Sequence, residues 1–304
     1  MSLPSIDLLT AARLAAGAQH FPNGTLYLLA TPIGNRADIT FRALHLLDLA
    51  DAVACEDTRH TAALLQAYGL HKPLIAAHEH NEREAAQAVI ERLRQGQRVA
   101  YVSDAGTPGL SDPGARLVAE ARAAGFRCVP LPGASALTAL LSVAGEVAGE
   151  GRFRFAGFLP PKGAERERAL QAIAASPEAC ALLEAPHRIE ALAASLAAHL
   201  GPRAVTVGRE LTKQFEEVDT VAAAALPGWL AAHPQRTRGE FALLVHALAP
   251  GPASEGEVDA EAQRVLDTLL EELPLKSAVK LAARLTGRPR NALYEAALAR
   301  KPQA

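Results

Sequence analysis

The residues best suited to chemistry lie in a glycine-rich loop over 103–114, which reads SDAGTPGLSDPG. Its glycines allow the backbone to turn sharply and to approach a ligand closely. Asp104 places a carboxylate where a preceding apolar run ends. The loop contains neither the Gly-x4-Gly-Lys of a phosphate loop nor the Gly-x-Gly-x-x-Gly of a dinucleotide turn. It therefore predicts a site for a polar ligand of another kind, with a purely structural turn as the alternative.

Other titratable side chains follow predicted strand ends and are candidates for moving a proton. They are Glu56, Asp57, His78, His80, Lys162, Glu184, His187, Glu210 and Lys213. From this set we retain Glu184, His187 and Lys213 as catalytic candidates and name no general base. A pair such as Glu184 with Arg188 is more often structural than catalytic, and Lys213 equally fits a network at a domain interface.

His78 and His80 alternate along the chain in a way that superficially resembles a pair of metal ligands. Zinc sites need three or four ligands, and no third one stands at a recognisable spacing. We therefore predict no metal site. Asp57 and Arg59 are likewise better explained as a structural pair.

The elements that must position these side chains alternate between strand and helix over 22–144. Apolar runs predict strands near 24–31, 52–55, 74–77, 98–102 and 127–131. Helical spacing predicts helices over 38–49, 61–68, 82–94, 115–124 and 136–144. Such alternation favours an open, mostly parallel sheet, which binds its ligands at the carboxyl ends of the strands.

A second α/β domain is predicted over 152–249, after a glycine-rich linker at 145–151. Its predicted strands are 153–155, 181–183, 204–207 and 241–245, with helices over 164–174 and 187–199. A β-rich return at 212–222 makes this sheet mixed. Residues 1–21 are predicted to be a disordered or frayed N-terminus.

The tail at 254–304 is predicted to be helical, with helices at 255–272, 277–285 and 291–300. The tight turn at 286–289 gives the last two a helix-turn-helix outline. Residues 274–304 contain seven basic residues and one acidic residue, whereas the whole chain has a net charge of −2. This local positive charge predicts an RNA-binding element. A small structural helical hairpin is an equal alternative.

The composition excludes several classes of protein. No apolar run approaches the ~18 residues of a membrane span, and the first twenty residues lack the pattern of an export signal. Three cysteines stand far apart without a Cys-x-x-Cys motif. This usage is typical of a reducing compartment, so we predict a cytoplasmic protein that binds no membrane.

Four segments together resemble the tetrapyrrole-methylase superfamily of S-adenosylmethionine-dependent enzymes. They are LATPIGN at 29–35, SDAGTPG at 103–109, PGASA at 132–136 and RGEF at 238–241. The resemblance covers about 22–248. TPIGN at 31–35, EAPHR at 184–188 and GRELTK at 208–213 are similar to one branch of the superfamily. Members of that branch methylate a cytidine ribose 2′-oxygen of 16S rRNA, and many carry a helix-turn-helix tail.

The resemblance implies two α/β domains with S-adenosylmethionine in the cleft between them, no metal, and a homodimer that acts on 16S rRNA in the small ribosomal subunit. It also implies a set of cofactor-binding residues: Pro32, Asp104, Ala105, Gly106, Thr107, Ser135, Ala136, Leu183, Arg209 and Glu240. One alternative is a methyltransferase of the same superfamily for a tetrapyrrole or a protein, against which TPIGN and the basic tail speak. Another is a non-catalytic RNA-binding or assembly factor, against which the intact Asp104 loop speaks.

Overall fold

The computed structural model describes residues 7–78, 81–110, 114–248, 258 and 260–299. The chain divides into two compact units, of which the first ends at Ala247 and the second begins at Leu248. In the described ranges, no helix combines the length and the apolar character that crossing a membrane requires.

The first sheet consists of five parallel strands in the order β3-β2-β4-β1-β5. They are β1 (Thr25–Leu29), β2 (Ala52–Cys55), β3 (Leu74–Ala76), β4 (Val99–Val102) and β5 (Arg127–Leu131). The central strands are apolar along their whole length because both faces of a parallel sheet are buried. The predicted α/β architecture is confirmed in this half.

The helices of this half are α1 (Leu8–Ala16), α2 (Phe41–Leu49), α3 (Thr58–Ala67), α4 (Glu82–Arg94), α5 (Ala115–Ala123) and α6 (Ala136–Val143). Two of their starts are explained by capping side chains, which accept otherwise unpaired backbone N–H groups. The Thr40 hydroxyl accepts the N–H of Ala43 at 3.1 Å and starts α2. The Asp57 carboxylate accepts the N–H of Arg59 at 2.8 Å, so α3 begins three residues earlier than predicted.

The prediction of a disordered or frayed N-terminus is wrong for residues 8–16, which form α1. Asp7 caps this helix by accepting the N–H of Thr10 at 2.9 Å. Ala12 is fully buried in the same apolar cluster as Leu44 and Leu47 of α2. Because alanine buries little area per residue, the apolar pattern of α1 was too weak to predict a helix from the sequence.

The second sheet is mixed, as predicted, with the order β6-β7-β10-β8-β9. Its strands are β6 (Phe153–Phe158), β7 (Ala179–Glu184), β8 (Ala204–Arg209), β9 (Glu217–Ala222) and β10 (Phe241–Val245). Only β6 and β7 pair in parallel, and the other described pairs are antiparallel. The helices α7 (Gly163–Ala175), α8 (Ile189–Leu200) and α9 (Leu226–Ala231) complete this half.

Helix α6 shares a core with the second sheet, although its sequence belongs to the first half. Leu137 and Leu140 of α6 lie in one buried cluster with Ala181 of β7 and Leu244 of β10. Helix α6 therefore packs against the second sheet.

The second unit contains α10 (Ala260–Glu272), α11 (Leu275–Thr286) and α12 (Arg290–Ala299). Its apolar core is formed by Ala262, Leu266, Val279, Ala282, Leu293 and Ala297. Helix α11 ends at Gly287, which has a φ of +68° and donates its N–H to the carbonyl of Ala283. The predicted helix-turn-helix outline is confirmed, while 255–257, where the first helix was expected to begin, lie outside the described residues.

Candidate functional site

A cavity of about 330 Å³ lies where the ends of the two sheets meet, at the lower end of the size range of small-molecule sites. Its wall from the first half contains Ile33, Ala105, Gly106, Thr107, Leu110, Ser135, Ala136 and Leu137. Its wall from the second half contains Phe155, Phe158, Leu183, Glu184, Ala185, Pro186, Gly208, Leu211, Glu240, Phe241 and Ala242.

Three loops that follow neighbouring strands β4, β1 and β5 are joined by hydrogen bonds at this cavity. Thr31 and Gly106 exchange backbone hydrogen bonds of 2.9 and 3.0 Å. The Thr31 hydroxyl donates to the carbonyl of Ser103 at 3.1 Å, and the Thr107 hydroxyl donates to that of Ala134 at 3.1 Å. The TPIGN, SDAGTPG and PGASA segments therefore form one connected surface.

Glycines at two positions of the wall allow their neighbours to pack closely around the cavity. Gly106 has a φ of +78°, and a Cβ atom there would lie 3.2 Å from Cγ2 of Ile33. On β8, a Cβ atom at Gly208 would lie 2.9 Å from Cδ1 of Leu140 and 3.0 Å from Cδ2 of Leu211. Side chains at either position would displace neighbours that shape the cavity.

Glu184 ends β7 opposite Phe241 of β10, and its side chain is completely buried. Its Oε1 atom lies 2.9 Å from Nε of Arg188 and accepts the N–H of Ala185 at 3.0 Å. Within the described part of the chain, its Oε2 atom has no hydrogen-bond partner. Because the carboxylate does not open onto solvent, it would have to rotate before it could accept a proton from a ligand. The predicted pairing with Arg188 is confirmed.

Lys213 lies between two carboxylates at the edge of the cavity. Its Nζ atom donates to Oε1 of Glu210 and to Oε2 of Glu240, both at 2.9 Å. Partial burial opposes the charge of the ammonium group, but the hydrogen bonds to the two carboxylates outweigh it and raise the pKa of Lys213. Lys213 therefore stays protonated at neutral pH and is unsuited to act as a base.

The aliphatic part of Lys213 passes directly over the TPIGN loop. Gly34 has a φ of +153°, and a Cβ atom there would lie 2.5 Å from Cγ and Cε of Lys213. Glu210 and Thr212, which come shortly before Lys213 in the chain, also have positive φ values, +51° and +69°. Such backbone is costly for residues other than glycine and persists only where surrounding contacts hold it. The network of charged residues around Lys213 therefore connects the second half of the first unit to the TPIGN loop of its first half.

The structure brings most of the predicted site residues together around the cavity. Those in its wall are Ala105, Gly106, Thr107, Ser135, Ala136, Leu183, Glu184 and Glu240. Those outside its wall are Pro32, Asp104, His187, Arg209 and Lys213. His187 is exposed and lies in the short 3₁₀ helix Pro186–Arg188, next to the wall residue Pro186.

Two charged residues that were expected to contact the cofactor face other partners. Oδ1 of Asp104 accepts the backbone N–H of Asp57 at 3.2 Å, which joins the ends of β4 and β2. The buried guanidinium of Arg209 donates to the carbonyls of Arg238 and Phe215 at 3.2 and 3.3 Å. It also pairs with Glu217 at 3.4 Å. These partners account for the Arg209 side chain without a ligand.

Sequence reasoning missed the aromatic residues of the second wall, Phe155, Phe158 and Phe241. Phe155 lies within β6 while Phe158 and Phe241 stand at strand ends, and the available signal, an apolar residue in a strand, is the same for a core and for a cavity. The described residues contain no group of three or more side chains arranged to hold a metal ion. Of the two histidines considered as metal ligands, His80 lies outside the described residues. The expected pair of Asp57 and Arg59 is present, with 2.9 Å between Oδ2 of Asp57 and Nη2 of Arg59.

Comparison with known proteins defines the class of this fold. The family model for Tetrapyrrole (Corrin/Porphyrin) Methylases matches residues 25–227. The structure of cobalt precorrin-4 methyltransferase has a TM-score of 0.56 at 18% identity, covering 76% of this chain and 100% of that one. Uroporphyrin-III-C-methyltransferase from Thermus thermophilus has a TM-score of 0.51 at 20% identity, covering 74% and 96%. The chain belongs to the tetrapyrrole methylase family, a family of methyltransferases.

Within this family, relatives of similar length define the branch to which the chain belongs. Ribosomal RNA small subunit methyltransferase I of Pseudomonas aeruginosa is 49% identical over 279 residues, which are 91% of this chain and 98% of that protein. The protein of the same name from Haemophilus influenzae is 44% identical over 277 residues, 91% and 97% of the two chains. The model of the RsmI C-terminal HTH domain matches residues 256–301. The chain is thus a member of the branch of ribosomal RNA small subunit methyltransferase I.

Proposed function

We propose that this protein transfers a methyl group from S-adenosylmethionine to the ribose 2′-hydroxyl of a cytidine in 16S rRNA of the small ribosomal subunit. The observation that carries the proposal is the cavity between the two sheets, formed by the segments that resemble this branch. Relatives at 44 and 49% identity are named as small-subunit rRNA methyltransferases, which supports an rRNA substrate. The uroporphyrin-III and cobalt precorrin-4 methyltransferases are similar in fold at 18 to 20% identity and give no comparable support for a tetrapyrrole substrate.

The residues present fit S-adenosylmethionine. Phe155, Phe158 and Phe241 offer aromatic surface to a flat adenine ring. Ser135 to Leu137 form the start of α6, where the first backbone N–H groups of a helix have no partners within the helix. These groups would receive the carboxylate of the donor's amino acid. The Glu240 carboxylate in the wall favours the positive charge of the donor.

The donor supplies a methyl group that is already activated by its bond to a positively charged sulfur. The protein mainly has to align this group with the ribose hydroxyl and to exclude water, and such positioning alone lowers a barrier by several kcal/mol. The connected loops around Gly106 hold one side of the cavity, and the apolar residues of the second sheet form the dry opposite side.

The ribose hydroxyl must lose its proton during the transfer, which calls for a proton acceptor near the cavity mouth. Lys213 is held protonated and Glu184 is buried against Arg188. We therefore propose the exposed His187 as the acceptor. A His187→Gln enzyme should lose turnover while its affinity for the donor is unchanged, and an unaltered pH profile of turnover would exclude this role.

The proposed donor site is tested by measuring the affinity for S-adenosylmethionine of the wild type and of Gly106→Val. We expect the variant to fold but to lose binding, since its new side chain crowds Ile33 and narrows the cavity. Gly109→Val is the matched control, because Gly109 also has a positive φ (+82°) but has open space around it. Binding by Gly106→Val that equals that of the control would remove this loop from the site.

The acceptor is tested by mapping ribose methylation in small-subunit rRNA from cells with and without the protein. We expect one cytidine 2′-O-methyl group to disappear without it. An unchanged methylation pattern would contradict the proposal and favour another substrate. We further propose that the protein is cytoplasmic and forms a homodimer. Sedimentation of the purified protein would detect the dimer.

A further inference from the structure

The helices of the second unit differ sharply in charge. Helix α11 contains Lys276, Lys280 and Arg284 and no acidic residue, whereas α10 contains four acidic residues and one basic residue, namely Glu261, Asp267, Glu271, Glu272 and Arg264. Helix α12 contains one basic and one acidic residue, Arg290 and Glu295. Of the three helices, α11 therefore has the largest net positive charge, and Arg264, Arg288 and Arg290 are the other described basic residues of this unit.

The three cations of α11 form a single row, which we call the basic stripe (Lys276, Lys280 and Arg284). Their spacing of four residues places them on one face of the helix, over about 12 Å of its axis. All three are exposed, whereas Ala278, Val279 and Ala282 are buried in the core of the unit. The basic stripe therefore faces away from the core.

In the described residues, no carboxylate forms an ion pair with any member of the basic stripe. The cations near the cavity differ in this respect, since Lys213 and Arg188 both form ion pairs with carboxylates. Like charges four residues apart destabilise a helix. Within the described part of the chain, no ion pair offsets this cost, which points to an anionic partner.

We infer that α11 binds the phosphate backbone of RNA through the basic stripe. This inference rests on the proposed function, which supplies RNA as the partner. A length of about 12 Å matches the axial rise of roughly three to four phosphates of one strand. In helix-turn-helix proteins that read DNA bases, the second helix makes the base contacts. Here the corresponding helix is α12, and its cation among the described residues is Arg290. The proposed phosphate contact is made by the preceding helix, α11, and is therefore independent of base sequence.

The test uses the full chain and a triple variant, Lys276→Gln with Lys280→Gln and Arg284→Gln. The probes are small ribosomal subunits and an RNA hairpin of their rRNA, and dissociation constants are measured from about 50 mM to about 300 mM salt. We expect affinity to fall by about tenfold or more. The plot of log K against log salt should become shallower by about 2, which is the counterion release of three phosphate contacts.

Two matched variants separate position from total charge. Arg13→Gln with Arg127→Gln and Arg168→Gln removes the same charge from exposed positions of the first unit and should leave the salt slope unchanged. Lys276→Arg with Lys280→Arg keeps the charge of the basic stripe and should bind RNA like the wild type. Donor affinity should be equal in all four proteins.

The inference would be overturned if the triple variant had the same RNA affinity and salt slope as the wild type. That result would leave the proposed methylation in place. Loss of binding to anionic lipid vesicles, with unchanged RNA binding, would assign the basic stripe to a membrane and overturn it as well. Conversely, stripe-dependent RNA binding by a protein that methylates no rRNA would refute the proposed function alone.

Discussion

At the scale of single residues, Gly34 and Lys213 show how the TPIGN loop depends on a residue almost 180 positions away. The lysine stem occupies the place where a side chain at position 34 would lie. Its ammonium group holds Glu210 and Glu240 together, and Glu240 belongs to the cavity wall. The glycine of this motif is therefore required by a contact between the two halves as well as by its own φ.

Gly34→Ala should destabilise the protein by about 1–3 kcal/mol, because it combines positive φ with a collision. In a Lys213→Ala background the collision is absent, so the cost should fall by at least ~0.5 kcal/mol. Urea unfolding of the four proteins of this double-mutant cycle measures the coupling.

Gly69→Ala is the matched control, since Gly69 has a φ of +75° and nothing within 4 Å of an added Cβ atom. Its cost should be the same with and without Lys213. If Gly34→Ala behaves in the same way, the lysine stem does not constrain the loop.

At the scale of elements, Arg203 connects the end of α7, the start of β7 and the exit of β10. This buried guanidinium donates to the carbonyls of Ile173 and Ser176, both at 3.0 Å, and to that of Glu178 at 2.8 Å. It also donates to the carbonyl of His246 at 2.7 Å. One planar fork thus donates to backbone carbonyl groups at the ends of these elements.

Arg203→Lys should reduce the free energy of unfolding by roughly 3 kcal/mol. A lysine keeps the charge but lacks the planar fork, so it leaves buried carbonyl groups without donors, at ~1–3 kcal/mol each. Thermal and urea unfolding measure the loss. Arg168→Lys, at an exposed position of α7, should change stability by less than ~0.5 kcal/mol, and an equally small effect at position 203 would show that water replaces the lost donors.

At the scale of the whole molecule, the described residues form separate apolar cores for the two units. The cluster around Leu266, Val279 and Leu293 contains residues of the helical unit alone. The clusters of the two sheets contain none of these residues. Removing the helical unit therefore takes no side chain out of the cores that shape the cavity.

Deletion of residues 254–304 should leave the fold and the affinity for S-adenosylmethionine unchanged while raising KM for the small subunit. Circular dichroism, donor titration and methylation kinetics at several salt concentrations measure these effects. The salt dependence should become shallower, as for the triple variant of the basic stripe. A loss of stability or a changed oligomeric state, without an effect on salt dependence, would instead make the helical unit a structural support.

Local sequence patterns determined most of the elements of this protein. Helix Glu82–Arg94 and strands Arg127–Leu131 and Phe241–Val245 have the predicted bounds. Their periodic burial and flanking glycines act within a few residues, so no distant contact is needed to define them. The family resemblance implied that the loops around Thr31, Gly106 and Ala134 form one site, and the structure brings them together because the carboxyl ends of adjacent parallel strands share one edge.

Tertiary structure alone decided which side chains of these segments face the cavity. Strand β10 comes last in the sequence of the second sheet but lies between β7 and β8, and this order places Phe241 beside Glu184. Asp104 and Arg209 have the expected positions in the chain, yet their side chains bond to Asp57 and to the segment near Phe215. Periodicity records whether a residue is buried, whereas the direction of a side chain at a strand end depends on partners that only the folded chain brings within reach.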